Sequence, residues 1–154
     1  MTGSTGLWVL AGTLVAGLVV GVLLHRRNGR IRTTTPEAPS GLPEPVVEAL
    51  APGTAVTLVQ ISTTFCAPCR HTRAVLSHLA ERTEGLTHVD LDVTDRPHVA
   101  RDLGVLRTPT TLALTSSGRE LLRVSGVPKA QELLTALEPH LVPQVERGSH
   151  SQGG

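Results

Sequence analysis

The stretch Val56-Thr57-Leu58-Val59-Gln60-Ile61-Ser62-Thr63-Thr64-Phe65-Cys66-Ala67-Pro68-Cys69-Arg70 decides the fold. Its first seven residues are rich in β-branched and apolar side chains, the composition of a buried strand. After it the period changes. Cys69, Thr72, Val75, Leu76, Leu79 and Ala80 share one helical face, while Arg70, Arg73, Ser77 and Glu81 share the other. Both cysteines of the chain therefore stand where a strand hands over to a helix.

That placement has chemical consequences. A cysteine at a helix N-terminus faces unpaired backbone N–H groups and the positive end of the helix dipole. Both favour the thiolate, the nucleophile of disulfide exchange. Cys66 takes this outer position, and Cys69, one turn further in, can close a small disulfide ring with it. Pro68 suits the first turn, where its missing N–H would have no partner anyway. A redox dithiol is the favoured reading. A metal site and an inert structural pair are its alternatives. Zinc takes about four ligands, and His71 is the one nearby candidate. Covalent haem attachment needs His directly after the second cysteine, where Arg70 stands.

Working outward, the 154 residues allow one ordinary domain and an appendage. The net charge of +1 is unevenly spread. Arg26, Arg27, Arg30 and Arg32 lie in one short stretch and every acid follows it. Without those four, ten basic side chains face 13 acidic ones, a formal −3. A mildly acidic globular part argues against nucleic-acid binding. Usage heavy in Arg, Ala, Val and Leu suits a high-GC bacterial chain.

Residues 1–6 form a short N-terminal segment. Residues 7–24, LWVLAGTLVAGLVVGVLL, are an uncharged run of 18. As a helix it would span about 27 Å, close to the hydrocarbon thickness of a bilayer. The segment before it has no basic side chain, and His25-Arg26-Arg27 stands in place of a small-residue cleavage site. An uncleaved transmembrane helix is expected rather than a signal peptide. Gly17 and Gly21 make a G-x-x-x-G, which allows weak homodimerisation through the anchor. The arginines after the helix place the domain in the cytoplasm, in a single-pass cell-membrane protein; reversed topology would make it extracytoplasmic.

Residues 25–53 read as a basic juxtamembrane stretch and a linker carrying Pro36, Pro39, Pro43, Pro45 and Pro52, with a short helix over 45–51. An α/β domain is expected over 54–141. Its elements are a strand at 55–62, helix 69–82, strand 86–91, a short helix near 97–103 and strand 110–114. A turn at 116–118, strand 120–124 and a last helix over 129–140 complete it, with Leu133, Leu134 and Leu137 inward. The β-α-β start predicts a parallel pair and the late hairpin an antiparallel strand, hence a mixed central sheet flanked by helices. The tail, 142–154, reads as disordered.

Residues 54–141 resemble the thioredoxin family. The resemblance rests on the strand–Cys66-Ala67-Pro68-Cys69–helix unit, on Arg107-Thr108-Pro109-Thr110 about 40 residues later, and on Gly126 before the final helix. It implies a thioredoxin-like fold, a cis bond at Pro109 beside the dithiol, and a Thr108 backbone that holds an extended substrate segment. It further implies a thiol–disulfide oxidoreductase with Cys66 and Cys69 catalytic. No bound cofactor or metal is then needed, the partners being protein disulfides and a recycling reductase.

The departures are specific. Phe65 stands for the family's Trp, Ala67 for its Gly and Arg70 for its Lys. Gln60 replaces a buried Asp thought to relay the second cysteine's proton, so that relay is absent or moved, with His88 a candidate substitute. Thr108 replaces the common Ile and recurs in oxidising and membrane-tethered branches. The expected activity is reduction of protein disulfides. An oxidase or extracytoplasmic interchange protein, and a metal-binding or docking module, are the alternatives.

Overall fold

The computed structural model describes residues 3–27, 31–33 and 41–141. In chain order the elements are α1 (Gly3–Arg27), β1 (Ile31–Thr33), α2 (Glu44–Glu48), β2 (Val56–Ser62), α3 (Ala67–Glu81), β3 (Leu86–Asp92), α4 (Pro97–Asp102), β4 (Thr110–Thr115), β5 (Glu120–Ser125) and α5 (Ala130–Leu141). One mixed sheet takes the order β1-β5-β4-β2-β3. β2 and β3 run parallel, as a crossover through α3 demands, whereas β4 is antiparallel to both β2 and β5. The expected mixed sheet and its late hairpin are thus present.

Strand alternation builds two layers of core. Val56 and Leu58 of β2 pack with Leu76 and Leu79 of α3 and Leu133 and Leu137 of α5. Val59 and Ile61 face the other way, toward Val46 of α2, Val99 of α4, and Leu112 and Leu114 of β4. All seven residues of β2 are buried, because both faces of the strand are covered. At about 1.5–3 kcal/mol per buried large apolar side chain, β2 is the element that the rest secures.

Two expectations need correction. Helix α3 starts at Ala67, two residues before the expected position, because Cys66 itself caps it. The linker is not free of packed structure. Ile31–Thr33 pairs antiparallel with β5, and Val46 is wholly buried in the second core layer. Leu42 and Leu50 lie against the turn at Gly118, where an added Cβ would meet Leu42 at 2.8 Å. The folded unit therefore reaches back past residue 54.

Helix α1 contains the apolar run, and its described side chains over 8–24 are all exposed. Leu7, where the run begins in the sequence, lies outside the described side chains. Among the described residues no helix is long and apolar enough to cross a membrane. Met1 and Thr2, residues 28–30 and 34–40, and the tail expected over 142–154 also lie outside the described set.

Candidate active site

Two loops meet at one end of the sheet. In the first, β2 hands over to α3 through Cys66, whose extended backbone (φ −91°, ψ 96°) fits an N-cap. The Cys69 backbone N–H donates to Cys66 Sγ at 3.2 Å, so the sulfur does the work of a capping oxygen. Cys66 and Cys69 are joined in a disulfide with Cα atoms 5.2 Å apart. Cys66 is half-buried and Cys69 only 2% exposed, which separates an approachable sulfur from a recessed one. Once the bond is reduced, the aimed N–H and the helix start both favour charge on Cys66. Pro68 lies in the first turn of α3, as expected, and Ala67 and Arg70 are exposed beside it.

The second loop is Arg107-Thr108-Pro109. The pairing of Ile61 with Thr110 brings the start of β4 beside the end of β2. The Thr108–Pro109 bond is cis. Thr63 Oγ1 and Thr108 Oγ1 lie 3.4 Å apart and tie this loop to the one leading into Cys66. Two further bonds secure it from behind, Thr110 Oγ1 to Arg107 O at 2.8 Å and Gly126 N–H to Pro109 O at 2.7 Å. Phe65 and Leu106, one at each loop, are 96% and 99% exposed. Two apolar side chains thus stand in solvent at the disulfide end of the sheet.

Beneath the disulfide lies Gln60, wholly buried. Its Nε2 donates to the Cys69 carbonyl at 3.0 Å, so the amide supports the α3 start but cannot accept a proton as a carboxylate would. Asp90 of β3 and Thr111 of β4 flank Gln60 in register. Asp90 is ion-paired with Arg73 of α3. His88 does not reach the dithiol. It pairs in register with Leu58, and its Nδ1 lies 3.1 Å from Ser77 Oγ. Ser77 is two turns beyond Cys69 on α3, a rise of about 12 Å. Burial holds the His88 pKa below its ordinary value, Arg73 lowers it further, and Asp90 opposes both.

One support was not foreseen. Thr94 Oγ1 accepts from the Thr64 backbone N–H at 2.9 Å, and Asp92 accepts from both the backbone and the hydroxyl of Thr94. Thr64 Oγ1 also donates to Asp92 at 3.2 Å. This brace fixes Thr64, two residues ahead of Cys66, to the end of β3. The hydrogen bonds from Thr94 hold the Asp92 carboxyl below the usual carboxylate range. Asp-x-Thr is a recognised turn signal, but nothing local shows that it faces residue 64. Among the described residues no group of three His, Cys, Asp or Glu side chains is placed to hold a metal ion.

Comparison with known proteins gives one answer. The thioredoxin family model matches residues 46–139. The chain is 37% identical over 81 residues to a thioredoxin of Mycobacterium tuberculosis, covering 52% of this chain and 69% of that one. It is 32% identical over 72 residues to Thioredoxin H2 of Arabidopsis thaliana, or 47% of this chain and 53% of the plant protein, so it spans about half the length of that relative. Among solved structures, a thioredoxin from Nicotiana alata superposes with a TM-score of 0.53 at 23% identity, covering 71% of this chain and 98% of that one. At that identity the superposition speaks for the fold.

Proposed function

The chain belongs to the thioredoxin family, and from that premise we propose that it is a membrane-anchored reductase of protein disulfides. Its redox class, thiol–disulfide oxidoreductase, follows from the family and the Cys66–Cys69 pair. The observation that carries the mechanism is the unequal setting of the two sulfurs, Cys66 capping α3 and Cys69 buried behind it.

In the reduced chain the Cys66 thiolate attacks one sulfur of a substrate disulfide. A mixed disulfide forms, and the substrate's other sulfur leaves as a thiolate. Cys69 then loses its proton and attacks Cys66 Sγ, which closes the Cys66–Cys69 bond and releases the second substrate thiol. Two electrons pass to the substrate. An external reductase returns them, and the dithiol itself carries them without a bound cofactor. An extended substrate segment lies along Thr108 and Pro109, with Phe65 and Leu106 as its apolar flanks.

Cys66→Ser is expected to abolish insulin reduction, whereas Cys69→Ser accumulates mixed disulfides with substrate. Alkylation of the reduced chain checks the assignment, and faster modification of Cys69 would reverse the roles.

The anchor rests on the apolar run over 7–24 and on Arg26, Arg27, Arg30 and Arg32 beyond it. This charge placement favours a cytoplasmic domain, where reduction is the direction of use. A reporter active only outside the membrane, fused after His140, should be silent. A strong signal would place the domain outside and favour an oxidase or interchange protein.

A further inference from the structure

We propose that the disulfide end of the sheet faces the bilayer, so that the preferred partner is a protein disulfide held at the membrane surface. This rests on the anchor reading above and adds an orientation to it. The argument begins with register. Ile31 of β1 pairs with Val124 of β5, and Thr110 of β4 pairs with the next residue, Ser125. Thr110 in turn pairs with Ile61, at the end of β2 that leads to Cys66. The chain coming from α1 therefore enters the sheet at the same end as Cys66 and the cis Pro109 bond, not at the end of the turn containing Ser117.

The tether is too short to undo this. Helix α1 ends at Arg27 and β1 starts at Ile31. Four residue steps reach at most about 14 Å even when fully extended. A strand of six or seven residues, the length of β2, β4 and β5, is roughly 20 Å long. Turning the Ser117 end toward the membrane would lift Ile31 at least that far from the surface, beyond the reach of the tether. Across the sheet, β1 stands three strand spacings from β2, about 14 Å. The disulfide thus lies within one domain width of the anchor, and the exposed Phe65 and Leu106 occupy the same end. A cysteine pair close to the bilayer, flanked by apolar residues, fits that face. A disulfide displayed far above the membrane meets the opposite end first.

The full chain in vesicles carrying an energy-transfer acceptor on the lipid headgroups tests the orientation. One label is placed on Cys66 in the Cys69→Ser variant. The other is placed at position 117 by Ser117→Cys in a Cys66→Ser, Cys69→Ser background. With the two ends about 20 Å apart along the strands, transfer from position 66 should be at least about twofold more efficient. Equal or stronger transfer from position 117, in a chain that floats with the vesicles, overturns the orientation and leaves the anchor standing. A chain that does not float with vesicles overturns the anchor and the orientation with it. A Gly/Ser spacer of about 20 residues after Asn28, some 25 Å in root-mean-square length, should bring the two signals together; an undiminished difference would overturn the short tether as the cause.

Discussion

The two faces of the sheet are built from the same strands, yet they treat polar groups in opposite ways. On the face covered by α2 and α4, β2 and β4 contribute Val59, Ile61, Leu112 and Leu114. Two of the buried hydroxyls near that layer are paired: Thr57 accepts from Ala51 N–H and Thr110 donates to Arg107 O. On the face covered by α3, the core is apolar at Val56 and Leu58 but turns polar toward the disulfide, at Gln60, Ser62, Thr72 and Thr111. There, Gln60 Oε1 and the three hydroxyls have no hydrogen-bond partner among the described residues. An unpaired buried polar atom costs about 1–3 kcal/mol. The first face is apolar with these two hydroxyls paired; the second carries polar groups beside Cys69, which must change its protonation.

Breaking the apolar face should have the largest effect on stability. Leu112→Ala is expected to cost about 2–5 kcal/mol in denaturant unfolding, since it opens a cavity in a fully buried layer. The alkylation rate of reduced Cys66 should stay unchanged. A large change in that rate would mean that the two faces are not separable.

The polar face should respond with a smaller loss of stability and a change in rate. Gln60→Asp removes the amide donor to Cys69 O and sets a second carboxylate beside Asp90 in register. We expect a loss of about 2 kcal/mol at neutral pH. Like charge and burial both favour the protonated acid in the folded state, so the loss should shrink as pH falls. The new acid can also accept the Cys69 proton, and the resolving step should quicken above pH 7. Stopped-flow resolution of both phases decides this, because an unaltered second phase would show that position 60 does not carry the proton.

The smallest effect sharpens the contrast along α3 itself. His88 has a folded pKa below the ordinary 6.5, through burial first, against the opposing charge of Asp90. The unfolded chain therefore binds more protons between the folded value and 6.5. Stability should be complete above that window and decline as pH falls through it. His88→Gln should flatten this part of the profile without altering the rate of Cys69 resolution. A slower resolving phase in this variant would restore His88 to the site.

Much of the molecule was legible because it is locally encoded. The strand at 55–62, the helix after it, the hairpin around Gly118 and the last helix each follow from periodicity or turn chemistry within about ten residues. The C-x-x-C at a strand-to-helix junction pointed to redox chemistry for the same reason. Ile31-Arg32-Thr33 could not be read in this way, because three residues are too few to show an alternation. Its partner, β5, is some ninety residues away in sequence.

The sequence by itself determined most of the strands and helices, and that both sulfurs stand at a strand-to-helix junction with Gln60 in the strand ahead of them. Only the tertiary structure decided what lies next to what. It set Asp90 rather than His88 beside Gln60, tied Thr64 to Thr94, and brought β1 into the sheet at the disulfide end. The physical reason is that periodicity is a property of neighbours along the chain. Register is chosen by the one alignment of distant strands that buries their apolar faces together, and a slip of a single residue would turn every side chain to the wrong face.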